Sequence, residues 1–168
     1  LWPSDETDKI TTNFCEPRYR RFHAGIDVRT FGRIDDNLYA IEQGYISRIK
    51  ISPDKYGKAI YLTLNDGNIA LYSHLNKFNP TIEAFCLELM KKYNSSFFDH
   101  HLAENELITL DRGDIIGYSG DTGSLSGPHL HFEIRDSQNQ PLNPLTNFYS
   151  IYDSEKPYAK NIAFIPLN

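Results

Sequence analysis

The sequence is poor in cysteine, has no long apolar run and carries no excess of positive charge. Its 168 residues include two cysteines, Cys15 and Cys86, too few for a disulfide-dense scaffold or a four-thiolate zinc site. The two could form one bridge, but we expect both thiols to be free. All apolar runs fall far short of the roughly 20 residues that cross a bilayer, so we predict no transmembrane segment. The net charge of −5 provides no broad positive field for a phosphate backbone, and we expect no nucleic acid partner.

The composition is that of a folded domain. Hydrophobic residues make up 40% and charged residues 23% of the chain, which is ordinary for a globular protein and too apolar for a disordered one. The length suits one folding unit, which we place in residues 1–150, followed by a C-terminal tail in residues 151–168 that could begin a further domain. The chain begins at Leu1 without a signal-peptide pattern, so we interpret it as an excised or mature fragment.

Short β segments separated by turn residues make up most of the chain. Residues 22–28 alternate apolar and polar side chains with a period of two, as a strand with one buried face does. Further β-rich segments are residues 38–52, 58–65, 68–75, 114–119 and 129–135. The pair Asp66-Gly67 joins two of them and favours a two-residue hairpin turn. Strands this short and frequent predict a mainly β fold, built as an antiparallel sheet or distorted sandwich.

One segment has helical periodicity instead. Residues 81–93 begin just after Pro80, at a position where a helix start tolerates proline. Apolar side chains repeat there at helical spacing, namely Ile82, Phe85, Cys86, Leu89 and Tyr93. We predict an amphipathic helix that continues loosely through Leu102, within a helical insertion around residues 80–103.

His23 and Asp27 project from the same face of the first predicted strand, because residues i, i+2 and i+4 line one side. Gly25 lies between them and, having no side chain, would leave space for an ion. The residues of the opposite face suit a core: Phe22, Ala24, Ile26 and Val28. The alternative interpretation is a strand whose polar face is simply exposed to water, with Gly25 at a bulge.

A second pair of histidines, His129 and His131, occupies alternate positions of the last β-rich segment, with Glu133 on the same face. Two imidazoles at this spacing can reach one metal ion and its bound water together. A chance pair of core histidines is the alternative. The preceding loop, residues 120–127, is rich in glycine but lacks the lysine of a phosphate-binding loop, so we interpret it as a flexible rim beside the pocket.

Other histidines and a basic run carry weaker signals. His74 ends a predicted strand, where a lone histidine is more often structural than catalytic. The adjacent residues His100 and His101 cannot share one face of a strand, and we treat both as surface residues or helix ends. The basic run Arg18-Tyr19-Arg20-Arg21 is typical of a solvated surface, but it could attract a carboxylate-bearing substrate.

Together these residues suggest a catalytic zinc site. Catalytic zinc keeps three protein ligands and one open position for water, whose pKa falls to about 7 when it is bound. His23, Asp27 and one imidazole of the His129 and His131 pair would complete such a set. The remaining histidines could then orient the water, stabilise an oxyanion and protonate a leaving amine. The sequence has no H-E-x-x-H motif, which excludes a thermolysin-type site.

Three motifs resemble those of the lysostaphin-type (LytM-like) zinc metallopeptidases. They are His23-x-Gly25-x-Asp27, Tyr72-x-His74-Leu75 and Gly127-Pro128-His129-Leu130-His131-Phe132, in the same order and with similarly wide spacing. The resemblance covers roughly residues 2–144, and it implies a LytM-like, mostly antiparallel β domain. It also implies that His23, Asp27 and His131 are zinc ligands and that His74 and His129 are a catalytic pair outside the ligand set.

Two features depart from the family pattern. Cys15 stands where relatives often carry glycine, which affects the shape of that turn but not the metal. The helical insertion after His74 is longer than in the most compact members, so we expect an unusual groove wall on that side.

The resemblance implies an endopeptidase that hydrolyses peptide cross-links of bacterial peptidoglycan by attack of a zinc-bound water. We expect a D-Ala–diaminopimelate bond rather than a glycyl-glycine bond, because the sequence resembles envelope proteins of double-membraned bacteria more than secreted lysins. Such a substrate implies a location outside the cytoplasm, in the periplasm or secreted. The alternatives are a non-catalytic module that binds cell wall or activates a wall amidase, and a latent enzyme covered by a regulatory domain or envelope partner.

Overall fold

The computed structural model describes residues 1–124 and 126–148, which form short strands, two α-helices and one turn of 3-10 helix. The first seven strands are β1 (Ile10–Thr12), β2 (Pro17–Arg18), β3 (Arg21–Phe22), β4 (Ile26–Arg29), β5 (Asn37–Tyr39), β6 (Gly44–Ile51) and β7 (Lys58–Leu64). The next seven are β8 (Ile69–Ser73), β9 (Lys77–Phe78), β10 (Phe98–His101), β11 (Ile108–Leu110), β12 (Ile115–Tyr118), β13 (His129–Arg135) and β14 (Pro141–Leu142). The helices are α1 (Pro80–Tyr93) and α2 (Pro144–Asn147), and the 3-10 turn is Glu104–Glu106.

The strands assemble into one large sheet and two small ones. The large sheet follows the order β1-β4-β13-β8-β7-β6-β10, with β11 also paired to β6 and β14 to β13. A second sheet has the order β5-β12-β9, and β2 and β3 form a hairpin. Every strand pair within the described residues is antiparallel. The predicted mainly β, antiparallel fold is confirmed.

The hydrophobic core lies against one face of the large sheet. Ile26 and Val28 of β4 and Phe132 of β13 are fully buried in it. Alternate residues of the same strands, among them Asp27 and His131, point to the opposite face. This alternation places polar side chains next to one another on neighbouring strands without disturbing the core.

The turn between β7 and β8 is one residue longer than predicted. The Leu64 N–H donates to the Asn68 carbonyl at 2.8 Å, and the Gly67 N–H donates to the Leu64 carbonyl at 3.0 Å. Gly67 has a φ of +84°, a left-handed conformation that closes many three-residue hairpin loops. The predicted hairpin is therefore confirmed, whereas the predicted two-residue turn is wrong.

Helix α1 begins and ends at residues suited to those positions. Asn79 caps its start by accepting an N–H from the first turn at 2.9 Å, and Pro80 follows. Asn94 follows its end in the left-handed conformation. The chain then reverses into β10, which pairs with β6 at the edge of the large sheet. The helix is confirmed, but its continuation through Leu102 is wrong.

His100 is buried on β10 rather than lying on the surface or at a helix end. Its side chain finds partners on both ring nitrogens, because the Tyr93 hydroxyl lies 2.8 Å from Nδ1 and the Glu106 carboxylate lies 2.8 Å from Nε2. These partners come from the end of α1 and from the 3-10 turn, and they compensate for burying the ring. His101 points the other way and is exposed.

The strand predicted over residues 22–28 is interrupted between β3 and β4. Phe22 is 68% exposed instead of joining the core. Gly25 lies in the interruption, where a Cβ would collide with the carbonyl oxygen of Phe132 and lie 2.7 Å from Cγ of Glu133. Gly25 thus lets this segment approach β13 closely. The prediction that Gly25 makes room for an ion is wrong.

Both cysteines are free thiols, with Cys15 exposed and Cys86 buried. Cys15 has a φ of +63°. A side chain in this left-handed region costs roughly 1–2 kcal/mol, which glycine avoids. The Cys15 N–H also donates to the His23 carbonyl at 2.9 Å, so this turn helps to position the segment that carries His23.

We expect the Cys15→Gly variant to be more stable than the wild type by about 0.5–1 kcal/mol, because relief of the left-handed strain exceeds the added backbone entropy of glycine. Equilibrium unfolding in urea measures this difference. The matched control is Cys15→Ala, which removes the thiol and keeps the Cβ. An equal gain in both variants would assign the effect to the thiol and contradict the prediction.

No helix among the described residues is long and apolar enough to span a membrane. The predicted C-terminal tail, residues 151–168, lies outside the described residues. The domain boundary at residue 150 therefore stays a prediction.

Candidate metal centre

The five side chains predicted to form a site lie together on one face of the large sheet. Asp27 of β4 stands opposite His131 of β13 in the ladder between these strands. His129 lies two positions before His131 on β13. Strand β8 flanks β13 on its other side and ends just before His74. His23 comes from the segment that enters β4. Three adjacent strands therefore bring together residues more than 100 positions apart.

Three donor atoms converge at the centre of this group, and we refer to them as the donor triad. They are Nε2 of His23, Oδ1 of Asp27 and Nδ1 of His131. The distance from His23 Nε2 to Asp27 Oδ1 is 3.0 Å, and the other two separations are 2.9 Å. All three side chains are buried, so little solvent separates them.

Hydrogen bonds behind the two rings determine which nitrogens face the triad. His23 Nδ1 lies 2.8 Å from the Asn13 carbonyl oxygen, and His131 Nε2 lies 2.8 Å from Glu133 Oε1. Carbonyl and carboxylate oxygens can only accept, so these ring nitrogens carry the protons. In the neutral rings the other nitrogens then present lone pairs. With both rings neutral, three acceptors would face one another, and such a group favours a cation between them, either a metal ion or a proton. Burial would lower the pKa of His131, but its hydrogen bonds to Asp27 and Glu133 raise it, so in the metal-free protein this ring is suited to carry the proton.

This donor set fits zinc. Zinc binds imidazole nitrogen and carboxylate oxygen at about 2.0–2.2 Å, which places tetrahedral ligands roughly 3.3–3.6 Å apart. The separations of 2.9–3.0 Å in the triad are only slightly shorter. Each imidazole of the triad also donates the N–H of its other ring nitrogen to an acceptor, as metal-bound histidines almost always do. The residues present are therefore suited to hold a zinc ion.

Asp27 supplies the negative charge of the triad. Burial alone would raise the pKa of Asp27, but hydrogen bonds from His131 and His23 outweigh it and hold that pKa well below its usual range. Nη2 of Arg18 lies 3.3 Å from the second carboxylate oxygen, Oδ2, and contributes to the same environment. Asp27 is therefore ionised at neutral pH.

Glu133 lies behind His131 and is completely buried. Its Oε1 accepts from His131 Nε2 and, at 2.7 Å, from the Tyr56 hydroxyl, while Oε2 accepts from Arg135 Nε at 2.6 Å. Burial would raise the pKa of Glu133, but the hydrogen bond and charge of His131, together with the charge of Arg135, lower it. An ionised carboxylate thus fixes the orientation of His131. The alternation of β13 places Glu133 on this face, but the sequence alone does not show its partners.

His74 and His129 lie beside the triad without joining it. Their ring centroids are 4.7 Å apart, and His129 Nε2 lies 3.7 Å from Asp27 Oδ1. The Nδ1–H of His74 donates to the Thr122 carbonyl at 2.9 Å, and that of His129 donates to the Gly127 carbonyl at 2.8 Å. In the neutral rings Nε2 therefore keeps its lone pair, and both histidines are suited to accept a hydrogen bond.

Thr122 anchors the described residues 120–124 of the loop predicted as a rim. Thr122 Oγ1 donates to the Leu75 carbonyl at 2.8 Å and accepts the Lys58 N–H at 2.9 Å. Gly57 packs against it so closely that a Cβ would collide with the Thr122 carbonyl oxygen. The sequence alone gives no role to Thr122, because a backbone carbonyl that orients His74 leaves no motif. Leu125 of this loop lies outside the described residues.

We expect His74 to destabilise the metal-free protein in acid. Burial lowers the pKa of His74 to about 4, whereas a histidine in an unfolded chain titrates near 6.5. Between these pH values the unfolded chain binds more protons, so the free energy of unfolding decreases as the pH falls, by up to about 3 kcal/mol. Urea unfolding at pH 7 and pH 4 in the presence of EDTA measures this loss.

The His74→Asn variant isolates the contribution of this ring. Asparagine tolerates the positive φ of 62° at this position and carries no titrating group. We expect the variant to lose less stability than the wild type between pH 7 and pH 4. An equal loss in both proteins would exclude His74 as the source.

Known structures share this fold. A zinc-containing peptidase from Vibrio cholerae superimposes with a TM-score of 0.63 at 24% identity, covering 86% of this chain and 38% of that one. The catalytic domain of the antimicrobial peptidase lysostaphin from Staphylococcus simulans gives a TM-score of 0.57 at 24% identity, covering 82% of this chain and 89% of that one. At these identities the likeness establishes the fold.

Sequence comparison gives two further likenesses. Residues 99–144 match the model of Peptidase family M23. The resemblance to lysostaphin-type peptidases is confirmed. The DD-carboxypeptidase/endopeptidase Mpg of Neisseria meningitidis serogroup B is 29% identical over 136 residues, covering 75% of this chain and 23% of Mpg. The chain thus spans about a quarter of the length of this relative. The matched M23 region contains His129 and His131, whereas His23, Asp27 and His74 lie before it.

Proposed function

We propose that this chain is a zinc metallopeptidase that hydrolyses peptide cross-links of bacterial peptidoglycan. The observation that carries the proposal is the donor triad, in which three acceptors converge within 3.0 Å of one another. Burying such acceptors without a cation is unfavourable, because each loses its hydration and gains no compensating positive charge. A module that only binds cell wall would gain nothing from this arrangement. The M23 match supports a peptidase-type domain.

Each residue of the site has a role in this proposal. His23, Asp27 and His131 hold zinc, which when bound supplies Lewis acidity and lowers the pKa of a coordinated water to about 7. His129 accepts a proton from the attacking water and returns it to the leaving amine, while Nε2 of His74 accepts a hydrogen bond from that water and orients it. Because the pKa of His74 is about 4, its ring is uncharged at neutral pH and does not repel a neighbouring cation.

We propose the D-Ala–diaminopimelate bond as the cleaved bond. The name of Mpg, a DD-carboxypeptidase/endopeptidase, supports a bond between D-configured centres rather than a glycyl-glycine bond. Peptidoglycan lies outside the cytoplasm, so the proposed site of action is the cell envelope, in the periplasm or secreted. A regulatory domain or envelope partner is compatible with a chain that spans about a quarter of this relative.

Digestion of isolated peptidoglycan tests the function. We expect the purified, zinc-loaded chain to convert cross-linked muropeptide dimers into monomers, one ending in D-Ala and the other carrying a new free amine on diaminopimelate. Mass spectrometry of the products identifies the bond, and EDTA should stop the reaction until zinc is returned. Intact dimers beside a protein that holds one zinc ion would contradict the proposal. Cosedimentation with peptidoglycan would then test the wall-binding module instead.

We expect the Glu133→Gln variant to bind zinc about 10–100-fold more weakly, as replacements behind metal-bound histidines typically do. An amide oxygen can still accept from His131 and Tyr56, but the amide nitrogen would then face the donors of Arg135. Leaving this arginine without its buried anion is also expected to lower the free energy of unfolding by about 3 kcal/mol. Competition with a chromophoric chelator measures the zinc affinity.

The matched control is Glu88→Gln, an identical replacement at an exposed position of α1. It should leave both zinc affinity and stability unchanged. If Glu133→Gln lost stability while its zinc affinity stayed that of the wild type, Glu133 would not orient His131 for the metal.

A further inference from the structure

A groove of about 500 Å³ adjoins the donor triad. Asp27 and His129 form part of its wall, so the groove leads directly to the reacting groups. Two arginines line the same groove, Arg18 from β2 and Arg29 from the end of β4. Arg29 stands opposite His129 in the ladder between β4 and β13. A ligand in this groove would therefore contact both arginines close to the proposed site of cleavage.

Arg18 has donors available for a ligand. Its side chain is 40% exposed, and its Nη2 lies 3.3 Å from Oδ2 of Asp27. A guanidinium group has five N–H donors, so this contact leaves others for a molecule in the groove. Arg18 therefore links the groove to the carboxylate of the triad.

Among the described residues, no carboxylate forms an ion pair with Arg29. Its guanidinium carbon lies 5.0 Å from the ring centroid of Phe31, which also lines the groove. The aromatic face supports the guanidinium without neutralising it. This exposed arginine is thus free to meet an anion.

The groove is positive although the chain as a whole carries a net charge of −5. Asp27 is the only acidic residue among the described residues that line it, and its charge is already shared with Arg18 and the two imidazoles of the triad. Hydroxyl groups of Thr11, Thr12 and Ser126 complete the polar lining. Two guanidinium groups with neighbouring hydroxyls form a surface suited to an anion.

We propose that this groove binds a free carboxylate of the peptide substrate, located on a residue next to the cleaved bond. The proposal rests on the proposed peptidase function and adds a specificity-determining element to it. Guanidinium groups match carboxylates through paired N–H donors, so Arg29 and Arg18 would hold the substrate by this group and thereby place the adjacent peptide bond at the triad. A neutral carboxamide at the same position would lose this charge-assisted contact.

A matched pair of substrates tests the groove. Cross-linked muropeptide dimers are used either untreated or after their carboxylates have been converted to carboxamides with carbodiimide and ammonium chloride. For the wild type we expect kcat/KM to be at least about tenfold higher on the untreated dimer, mainly through a lower KM. Arg29→Gln should reduce this preference to within about threefold, and Arg29→Lys should restore part of it because the charge returns without the paired donors.

Arg112→Gln is the control for loss of a positive charge elsewhere. Arg112 contacts Glu42 and does not line the groove, so this variant should keep the full preference of the wild type. Equal cleavage of both dimers by the wild type would overturn the groove proposal and leave the peptidase function intact. A preference that persists in Arg29→Gln would also overturn it.

If neither dimer were cleaved, the peptidase function would be contradicted. Calorimetric binding of the same two dimers would then test separately whether the groove binds a carboxylate. Binding of the untreated dimer at least about tenfold more tightly than the amidated one, lost in Arg29→Gln, would support a carboxylate site. Equal binding, or none, would overturn it.

Discussion

The His129→Ala variant is expected to retain its zinc ion while hydrolysis of purified peptidoglycan falls by about 100–10,000-fold, the range typical of a lost acid–base group. His129 lies outside the donor triad, with its Nε2 3.7 Å from Asp27 Oδ1, whereas the triad atoms are within 3.0 Å of one another. Its Nδ1–H is committed to the Gly127 carbonyl, so Nε2 is the nitrogen that can exchange a proton with the substrate. Removing the ring therefore removes a proton carrier and leaves the three ligands in place.

Zinc content and initial rates of muropeptide release measure the two effects separately. His101→Ala is the matched control, because this histidine is exposed on β10 and belongs neither to the donor triad nor to the pair of His74 and His129. It should leave both quantities unchanged. Loss of zinc from His129→Ala would mean that His129, rather than a member of the triad, is a ligand.

The strand arrangement around this site could be predicted because the periodicity of β13 is unambiguous. Its polar and apolar residues alternate from His129 to Arg135, and the structure begins and ends the strand at these two residues. The earlier segment of residues 22–28 alternates equally well, yet the structure divides it. Close approach of Gly25 to the backbone of β13 displaces this segment from a regular ladder. Alternation shows which residues share a face, but it does not show where a neighbouring strand comes too close.

The convergence of His23, Asp27 and His131 could be anticipated for a related reason. Side chains two or four positions apart point to one side of an extended chain, so each motif defines a face before the partner strand is known. That the two faces meet depends on β4 pairing with β13, and these strands are about 100 residues apart. The local pattern does not predict that these two faces meet, and the resemblance to lysostaphin-type peptidases does.

The groups that orient the histidines could not be predicted. Asn13 and Thr122 act through backbone carbonyls, which every residue possesses. Tyr56 reaches Glu133 from a loop between β6 and β7, 77 positions away in the chain. Such contacts depend on tertiary packing and on hydrogen-bond geometry, so the spacing of residues in the sequence does not predict them. They nevertheless determine which nitrogen of each ring faces the site.

The His131→Ala variant is expected to lose stoichiometric zinc and, with it, activity on peptidoglycan. His131 contributes Nδ1 at 2.9 Å from both other triad atoms, and Glu133 holds the opposite side of the ring. Without this ligand, only His23 and Asp27 remain of a three-residue set. We expect zinc affinity to fall by more than about 100-fold, beyond the loss typical of residues that only support a ligand. Elemental analysis after dialysis and chelator competition measure the change.

Loss of a buried imidazole can also destabilise a protein, so the control must be buried as well. His100 meets this requirement, because it is hydrogen-bonded to Tyr93 and Glu106 and belongs to no part of the donor triad. His100→Ala should lower the free energy of unfolding by about 1–3 kcal/mol, since the partners lose their hydrogen bonds, yet it should keep one zinc ion per chain. If both variants lost zinc in proportion to their lost stability, the metal would be reporting on folding, and the triad would not be its binding site.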